Sequence, residues 1–159
     1  MSYFEKVVDF NKQFGVELHQ IPQKNIFDTD PKTIEFCMKL IREENKELEQ
    51  AAVDKNIVEV ADAIADSIYV LLGMAARIGV NMDTVFNMVH SNNMSKLCLT
   101  EEEAQKSVEY YTCNPNLGFN SPSYRKAEDG KHYVVYNEST KKILKSVNYK
   151  PVDLSFLLK

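Results

Sequence analysis

Residues 59 to 79 read EVADAIADSIYVLLGMAARIG, an apolar stretch that carries three carboxylates. Glu59, Asp62 and Asp66 are its only charged residues before Arg77. At about 100° per residue, the sequence from residue 57 predicts a helix with a broad apolar face. That face contains Ile57, Val60, Ala61, Ile64, Ile68, Leu71, Leu72 and Ala75. The carboxylates lie on the opposite side, which becomes apolar after Tyr69, so the pattern predicts a central helix packed on more than one side.

The preceding helix, residues 34 to 52, reads IEFCMKLIREENKELEQAA and places Glu44 inside its apolar arc, with Glu47 at the border. An inward carboxylate is costly to desolvate unless it is paired, protonated or bound to a cation. Two consecutive helices therefore direct carboxylates toward a shared interior that contains no close lysine. Oxygen ligands of this kind predict a site for a hard cation, either Mg²⁺ or Mn²⁺.

A solvated acidic face is the alternative interpretation, and it is common for charged residues on a helix. In that case the carboxylates would be hydrated, would pair with Arg42 and Arg77, or would hold a structural cation. The position of Glu44 within the apolar arc favours metal binding over this alternative.

The remaining sequence predicts an all-α bundle of four to five helices with a small irregular or β-hairpin C-terminal segment. Asp30-Pro31 marks the start of the long helix, and Thr100-Glu101-Glu102-Glu103 predicts the start of a later one. HYVVYN, at residues 132–137, followed by KKILKSV, at residues 141–147, predicts a hairpin. The predicted domains are a helical core at residues 1–97 and an appended helix with hairpin at residues 98–159.

Composition narrows the class of protein further. A net charge of −4 argues against binding to nucleic acid, which normally requires a basic surface. The three cysteines have no CxxC spacing, which is typical of a reduced cytoplasm. The first residues lack the apolar core of a secretory signal, and the apolar run after Asp66 is too short to span a membrane. We therefore expect a cytoplasmic protein without a membrane partner.

EENKEL, at residues 43–48, followed by ADAIADSIYVLLG, at residues 61–73, resembles the all-α nucleotide pyrophosphohydrolases. This superfamily includes the MazG-like proteins, the dimeric dUTPases and the phosphoribosyl-ATP pyrophosphohydrolases, which carry Glu-x-x-Glu on one helix and Glu-x-x-Asp on the next. Glu44 and Glu47 match the first half. The second half has two registers. Glu59 with Asp62 fits the pattern literally, whereas the surrounding AD-x-IYV context puts Asp66 at the family's aspartate and Ala63 where the family has its glutamate. The second register is favoured, with Asp62 in place of that glutamate and Glu59 as an outer ligand.

Two further segments are similar to one branch of these enzymes, and the tail, from DGK at residues 129–131 through KILKSVNYKPVDL at residues 142–154, is similar to phage-type members. VFNMVHSNNMSKL, at residues 85–97, implies that Asn93 and Lys96 serve the phosphate chain of a substrate. VVDFNKQFG, at residues 7–15, implies that Asn11 contributes to a nucleoside pocket, beside Phe14. Basic residues of the tail could close over a triphosphate: Arg125, Lys126, Lys131 and Lys145.

The resemblance implies an Mg²⁺-dependent enzyme that cleaves a nucleoside triphosphate, or a related nucleotide, to the monophosphate and pyrophosphate. Glu44 or Glu47 would orient or deprotonate the attacking water, and the sequence does not choose between them. A homodimer or homotetramer is expected, because few helices are available to cover both sides of residues 57–78. The alternative is a non-catalytic helical oligomer that binds metal or nucleotide as a sensor or structural protein.

Overall fold

The computed structural model describes all 159 residues and is mostly helical, as predicted. The helices are α1 (Tyr3–Gln13), α2 (Ile26–Thr29), α3 (Pro31–Val53), α4 (Ile57–Arg77), α5 (Met82–Met94) and α6 (Glu101–Cys113). Two strands, β1 (Pro122–Lys126) and β2 (Tyr133–Asn137), form one antiparallel hairpin. No helix is both long enough and apolar enough to cross a membrane.

The chain divides into two compact units. Residues 1–86 together with residues 154–159 form the N-terminal unit, and residues 87–153 form the C-terminal unit. The boundary between the two units falls within α5. The predicted boundary after residue 97 refers to the end of the functional core, and it stays a prediction.

A short connection folds α4 back against α3 in the N-terminal unit. Helix α3 ends at Val53, and Lys55 then adopts a positive φ of 55°. Asn56 caps α4 by accepting hydrogen bonds from the backbone N–H groups of Val58 and Glu59. Asparagine is well suited to this position because its side chain satisfies donors that a helix start leaves free. The first carboxylate of α4 is thus fixed close to the turn.

The side of α4 that faces α3 differs from the predicted apolar face. Ala63 of α4 and Ala51 of α3 are both buried and line the same narrow cleft. Ile57, Ile64, Ile68 and Leu71 are instead exposed by 77%, 46%, 43% and 52%. Small alanine side chains let two helix backbones approach closely, so the contact forms on the alanine side and leaves the larger aliphatic side uncovered. The predicted broad apolar face is therefore not the side of α4 that packs on α3.

The loop after α1 is fixed against the end of α4. The backbone N–H groups of His19 and Gln23 donate to the carbonyl oxygens of Ala76 and Ile78 at 3.3 and 3.0 Å. Gly79 ends this helix with a φ of +77°, and a Cβ atom there would lie 1.9 Å from the carbonyl oxygen of Ile21. Glycine is therefore required both for its backbone conformation and for the close approach of the loop.

The C-terminal unit packs α6 against the hairpin. Its core consists of Cys98, Ala104, Tyr111, Val135 and Leu144. The hairpin pairs β2 with the preceding residues 122–126, whereas the predicted partner, residues 141–147, forms only a single bridge between Tyr136 and Ile143. The predicted pairing is therefore only partial: the N–H groups of Asn137 and Leu144 donate to the carbonyl oxygens of Lys142 and Val135, both at 2.8 Å. Beyond this point the Tyr111 hydroxyl donates to the carbonyl oxygen of Lys145 and accepts from its N–H.

Candidate metal centre between two helices

Glu44 is half-buried on the side of α3 that packs toward the interior of the N-terminal unit. Cys37 and Ala51, both buried, are two turns before and after it on the same side of the helix. This is the inward position expected from its place in the apolar arc. The carboxylate consequently has fewer water molecules around it than an ordinary surface glutamate.

The pKa of Glu44 is raised above its ordinary value. Partial desolvation is the largest cause, and the negative charge of Glu47 on the same helix comes next. Asp66 and Asp62, both on α4, also raise it, as does Glu43. Carboxylates from both helices therefore act on one half-buried group, which leaves a local excess of negative charge.

A cleft of about 220 Å³ lies between α3 and α4, beside the turn that connects them. Glu47 and Asp54 line it from the first helix and its cap, and Glu59 and Asp62 line it from the second. No lysine or arginine lines the cleft. Ordinary ion pairs do not account for this arrangement, since the one acidic neighbour with a cation is Glu43, which pairs with Lys39 at 3.6 Å.

The donor set fits a hard divalent cation, because it consists of carboxylates and has no competing basic side chain. The side chains do not, however, converge into a group of three or more ligands close enough to hold one ion. Glu47, Glu59, Asp62 and Asp66 are exposed, so only Glu44 meets the expectation of a buried interior. The edge of α4 that carries the aspartates remains open to solvent in a single chain.

The two registers of the second acidic motif share Asp62. The cleft groups Glu59 and Asp62 with Glu47, as the literal Glu-x-x-Asp register predicts. The electrostatic contacts of Glu44 instead include Asp62 and Asp66, as the second register predicts. Asp62 is thus a candidate ligand in either register, and the choice between the other two stays open.

Asn11, the predicted nucleoside contact, is buried, and its side-chain amide donates to the carbonyl oxygen of Val7 at 2.8 Å. Beside it, Phe10 and Phe14 stack with ring centroids 4.3 Å apart. Phe10 also meets Tyr69 of α4 edge to face at 5.5 Å. The sequence assigns no site role to Tyr69, although its position one helical turn after Asp66 could have indicated that it lies close to the acidic residues.

Asn93 and Lys96 are brought together at the end of α5, where the lysine ammonium donates to the asparagine side-chain oxygen at 2.7 Å. Arg125 lies on β1, donates to the backbone of Lys126 and pairs with Glu128 at 3.7 Å. Lys131 is exposed in the turn between the two strands. Neither of these two cations contacts Asn93 or Lys96, so the structure does not assemble the predicted phosphate contacts into one cluster.

Comparisons with known proteins cover the segment that contains α3 and α4. A model of the phosphoribosyl-ATP pyrophosphohydrolase family matches residues 7–93, which is more than half of the chain and includes every candidate metal ligand. An uncharacterised protein of Acanthamoeba polyphaga mimivirus is 27% identical, over 98% of this chain and 95% of the relative. The family match supports a pyrophosphohydrolase activity. The chain belongs to the phosphoribosyl-ATP pyrophosphohydrolase family, within the MazG-like nucleotide pyrophosphohydrolase superfamily.

Proposed function

We propose that this protein is an Mg²⁺-dependent pyrophosphohydrolase that cleaves a nucleoside triphosphate, or a related nucleotide, to the monophosphate and pyrophosphate. The observation that carries this proposal is the half-buried Glu44, surrounded by carboxylates of two helices and by no basic partner. Such an excess of negative charge is costly in the folded protein unless a cation offsets it. The family match supports the reaction class.

Glu44, Glu47, Asp62 and Asp66 would hold the metal, with Glu59 as an outer ligand. A bound Mg²⁺ or Mn²⁺ would offset the charge of the phosphate oxygens and orient them. The protein's own part is to position a water molecule and accept its proton at a carboxylate of Glu44 or Glu47. As the water oxygen bonds to phosphorus, the anhydride P–O bond breaks and pyrophosphate leaves.

The substrate contacts stay as proposals of different strength. Asn93 and Lys96 already lie within hydrogen-bonding distance of each other and would serve the phosphate chain together. Asn11 would act mainly by fixing α1, because its amide is already used within the helix. The exposed ring of Phe14 would then offer a face for a base. Arg125, on β1, and Lys131, in the turn before β2, would close over a triphosphate, and Arg125 would have to leave its ion pair with Glu128.

Self-association is proposed for the uncovered side of α4. An apolar groove of about 290 Å³ runs between α1 and α4 and is lined by Val7, Ile64, Ile68 and Leu72. With the exposed Leu71 it forms an apolar surface of the kind that marks a protein interface. A second copy would cover it in a homodimer or homotetramer, and the open edge carrying Asp62 and Asp66 would then lie beside the interface.

A non-catalytic metal or nucleotide sensor is the second candidate, and one observation favours it. The carboxylates do not form a ready group of three ligands, as a fully preorganised catalytic centre would. A sensor would bind nucleotide with Mg²⁺ and release no product.

The experiment that separates the two is pyrophosphate release from a panel of canonical and modified nucleotides in Mg²⁺, Mn²⁺ or EDTA. We expect metal-dependent release that falls by about 100-fold or more in Glu47→Gln and in Asp66→Asn. Glu49→Gln is the matched control, because Glu49 is exposed and belongs to neither the cleft nor the surroundings of Glu44. No release from any nucleotide by folded protein, with nucleotide binding retained, would establish the sensor instead.

A further inference from the structure

A second cleft, of about 630 Å³, is wide open to solvent, carries more apolar than polar surface and lies within the C-terminal unit. One wall is the second half of α5 and the other is the segment of residues 148–152. Its polar side chains include Asn87, Ser91, Asn148 and Lys150, and its apolar side chains are Met88, Pro151 and Val152. Lys150 is the one charged residue of its lining.

The second wall of this cleft is fixed by Asn92. The side-chain amide of Asn92 donates to the carbonyl oxygen of Lys150 at 2.6 Å, and its side-chain oxygen accepts from the hydroxyl of Tyr149 at 2.6 Å. Farther along, the N–H of Val147 donates to the buried Ser107 hydroxyl at 3.0 Å. The segment has no regular secondary structure of its own here, and these side-chain bonds hold it beside α5. The cleft is therefore formed before any ligand binds.

Four polar side chains of the cleft have no partner within the protein: those of Asn87, Ser91, Asn148 and Lys150. Asn92, in contrast, uses both ends of its side-chain amide in holding the wall. The division is useful chemically because one residue builds the cleft while four others retain their hydrogen-bonding capacity. Asparagine and serine can each donate and accept, whereas lysine only donates.

We propose that this second cleft binds the ribose 5′-phosphate part of a nucleoside monophosphate. The ammonium group of Lys150 would bind the phosphate as a point charge. The amides of Asn87 and Asn148 and the hydroxyl of Ser91 match the hydroxyl groups of a ribose and the edge of a base. Met88 and the adjacent apolar wall offer a surface for the face of the base. The volume lies in the range typical of small-molecule sites.

This site does not use the residues of the proposed reaction. None of the candidate metal ligands lines the cleft. Asn93, the proposed phosphate contact, lies about 200° around the axis of α5 from Ser91 and so belongs to the opposite side of that helix. The ligand could be a free nucleotide from solution or the monophosphate that the reaction releases, since both carry the same ribose 5′-phosphate.

Amide NMR of the full-length protein in EDTA tests the proposal without metal or turnover. The probes are ribose 5-phosphate, adenosine 5′-monophosphate, adenosine 5′-triphosphate and adenosine. We expect the two monophosphates to shift resonances of residues 87–95 and 148–152, and adenosine to bind at least about 10-fold more weakly. The triphosphate is expected to bind no more tightly than the monophosphate, as a site for released product requires.

Lys150→Met is expected to weaken monophosphate binding about 10-fold or more, because it removes the one cation of the cleft. The hydrogen bond that holds the wall of the cleft remains in this variant, because Asn92 donates to the backbone carbonyl oxygen of Lys150 and not to its side chain. Lys126→Met is the matched control, because Lys126 is an exposed lysine of the same unit outside the cleft. Equal affinity in wild type and Lys150→Met would overturn the proposal, as would shifts confined to other residues or no shift at about 10 mM ligand. These outcomes are independent of whether pyrophosphate release is observed with metal.

Discussion

Glu44 combines partial burial with the charges of neighbouring carboxylates, and both raise its pKa. A carboxyl group whose pKa is higher in the folded chain favours folding when it is protonated. Stability in the absence of metal therefore falls as the pH rises from the ordinary value of 4.5 through the raised pKa. At neutral pH the ionised Glu44 destabilises the metal-free protein.

Glu44→Gln is accordingly expected to raise the melting temperature in EDTA at neutral pH, by roughly 1–3 °C. The gain should disappear near pH 4, where the wild-type carboxyl is protonated as well. Thermal unfolding at the two pH values measures this difference, with Glu49→Gln as the surface control. A melting temperature lowered equally at both pH values would show that Glu44 has an ordinary structural role and that its negative charge does not destabilise the folded protein.

At the residue scale, the sequence predicts the inward position of Glu44 well, because one helix period suffices to place a carboxylate among apolar neighbours. It predicts the environment of Asp62 and Asp66 less well, since their exposure depends on which side of α4 meets α3. The second cleft, beside α5, could not be predicted at all. Its wall depends on the hydrogen bonds of Asn92 to Tyr149 and Lys150, which lie 57 and 58 positions later in the sequence.

At the scale of elements, helix bounds follow from local signals such as the Asp30-Pro31 start and the Thr100 cap. Contacts between elements do not. The sequence predicts a broad apolar face on α4 from its largest residues, but it does not predict that the alanine side packs on α3, where small side chains allow closer approach. The following segment was predicted as the partner of β2, but it pairs there only around Tyr136 and Ile143, and residues 122–126 form the strand partner.

Gly79→Ala tests the contact between the first loop and α4. The added Cβ would meet the backbone oxygen of Ile21, so we expect a loss of about 2–3 kcal/mol in the free energy of unfolding. Gly15→Ala is the matched control: Gly15 has a similar positive φ of 68° but open space around it. Denaturant unfolding should give a loss of about 1 kcal/mol for the control. Equal losses in both variants would mean that only the backbone conformation matters.

At the scale of the whole molecule, the exposed aliphatic side of α4 indicates that a single chain is incomplete. Ile68→Glu places a charge in the apolar groove between α1 and α4, where a second copy would have to desolvate it. We expect wild-type dimers or tetramers to become monomers in this variant, by sedimentation at equal protein concentration. Ile143→Glu, an exposed isoleucine of the C-terminal unit, should leave the mass unchanged. A monomeric wild type would contradict the proposed interface.

The most direct test of the central claim is Mn²⁺ binding measured by calorimetry on the full-length protein. Wild type is expected to bind the ion at the carboxylates of α3 and α4. Glu44→Gln should weaken that binding by about 10-fold or more, while Glu49→Gln leaves it unchanged. No binding by wild type, or equal affinity in Glu44→Gln, would contradict a metal centre at these residues.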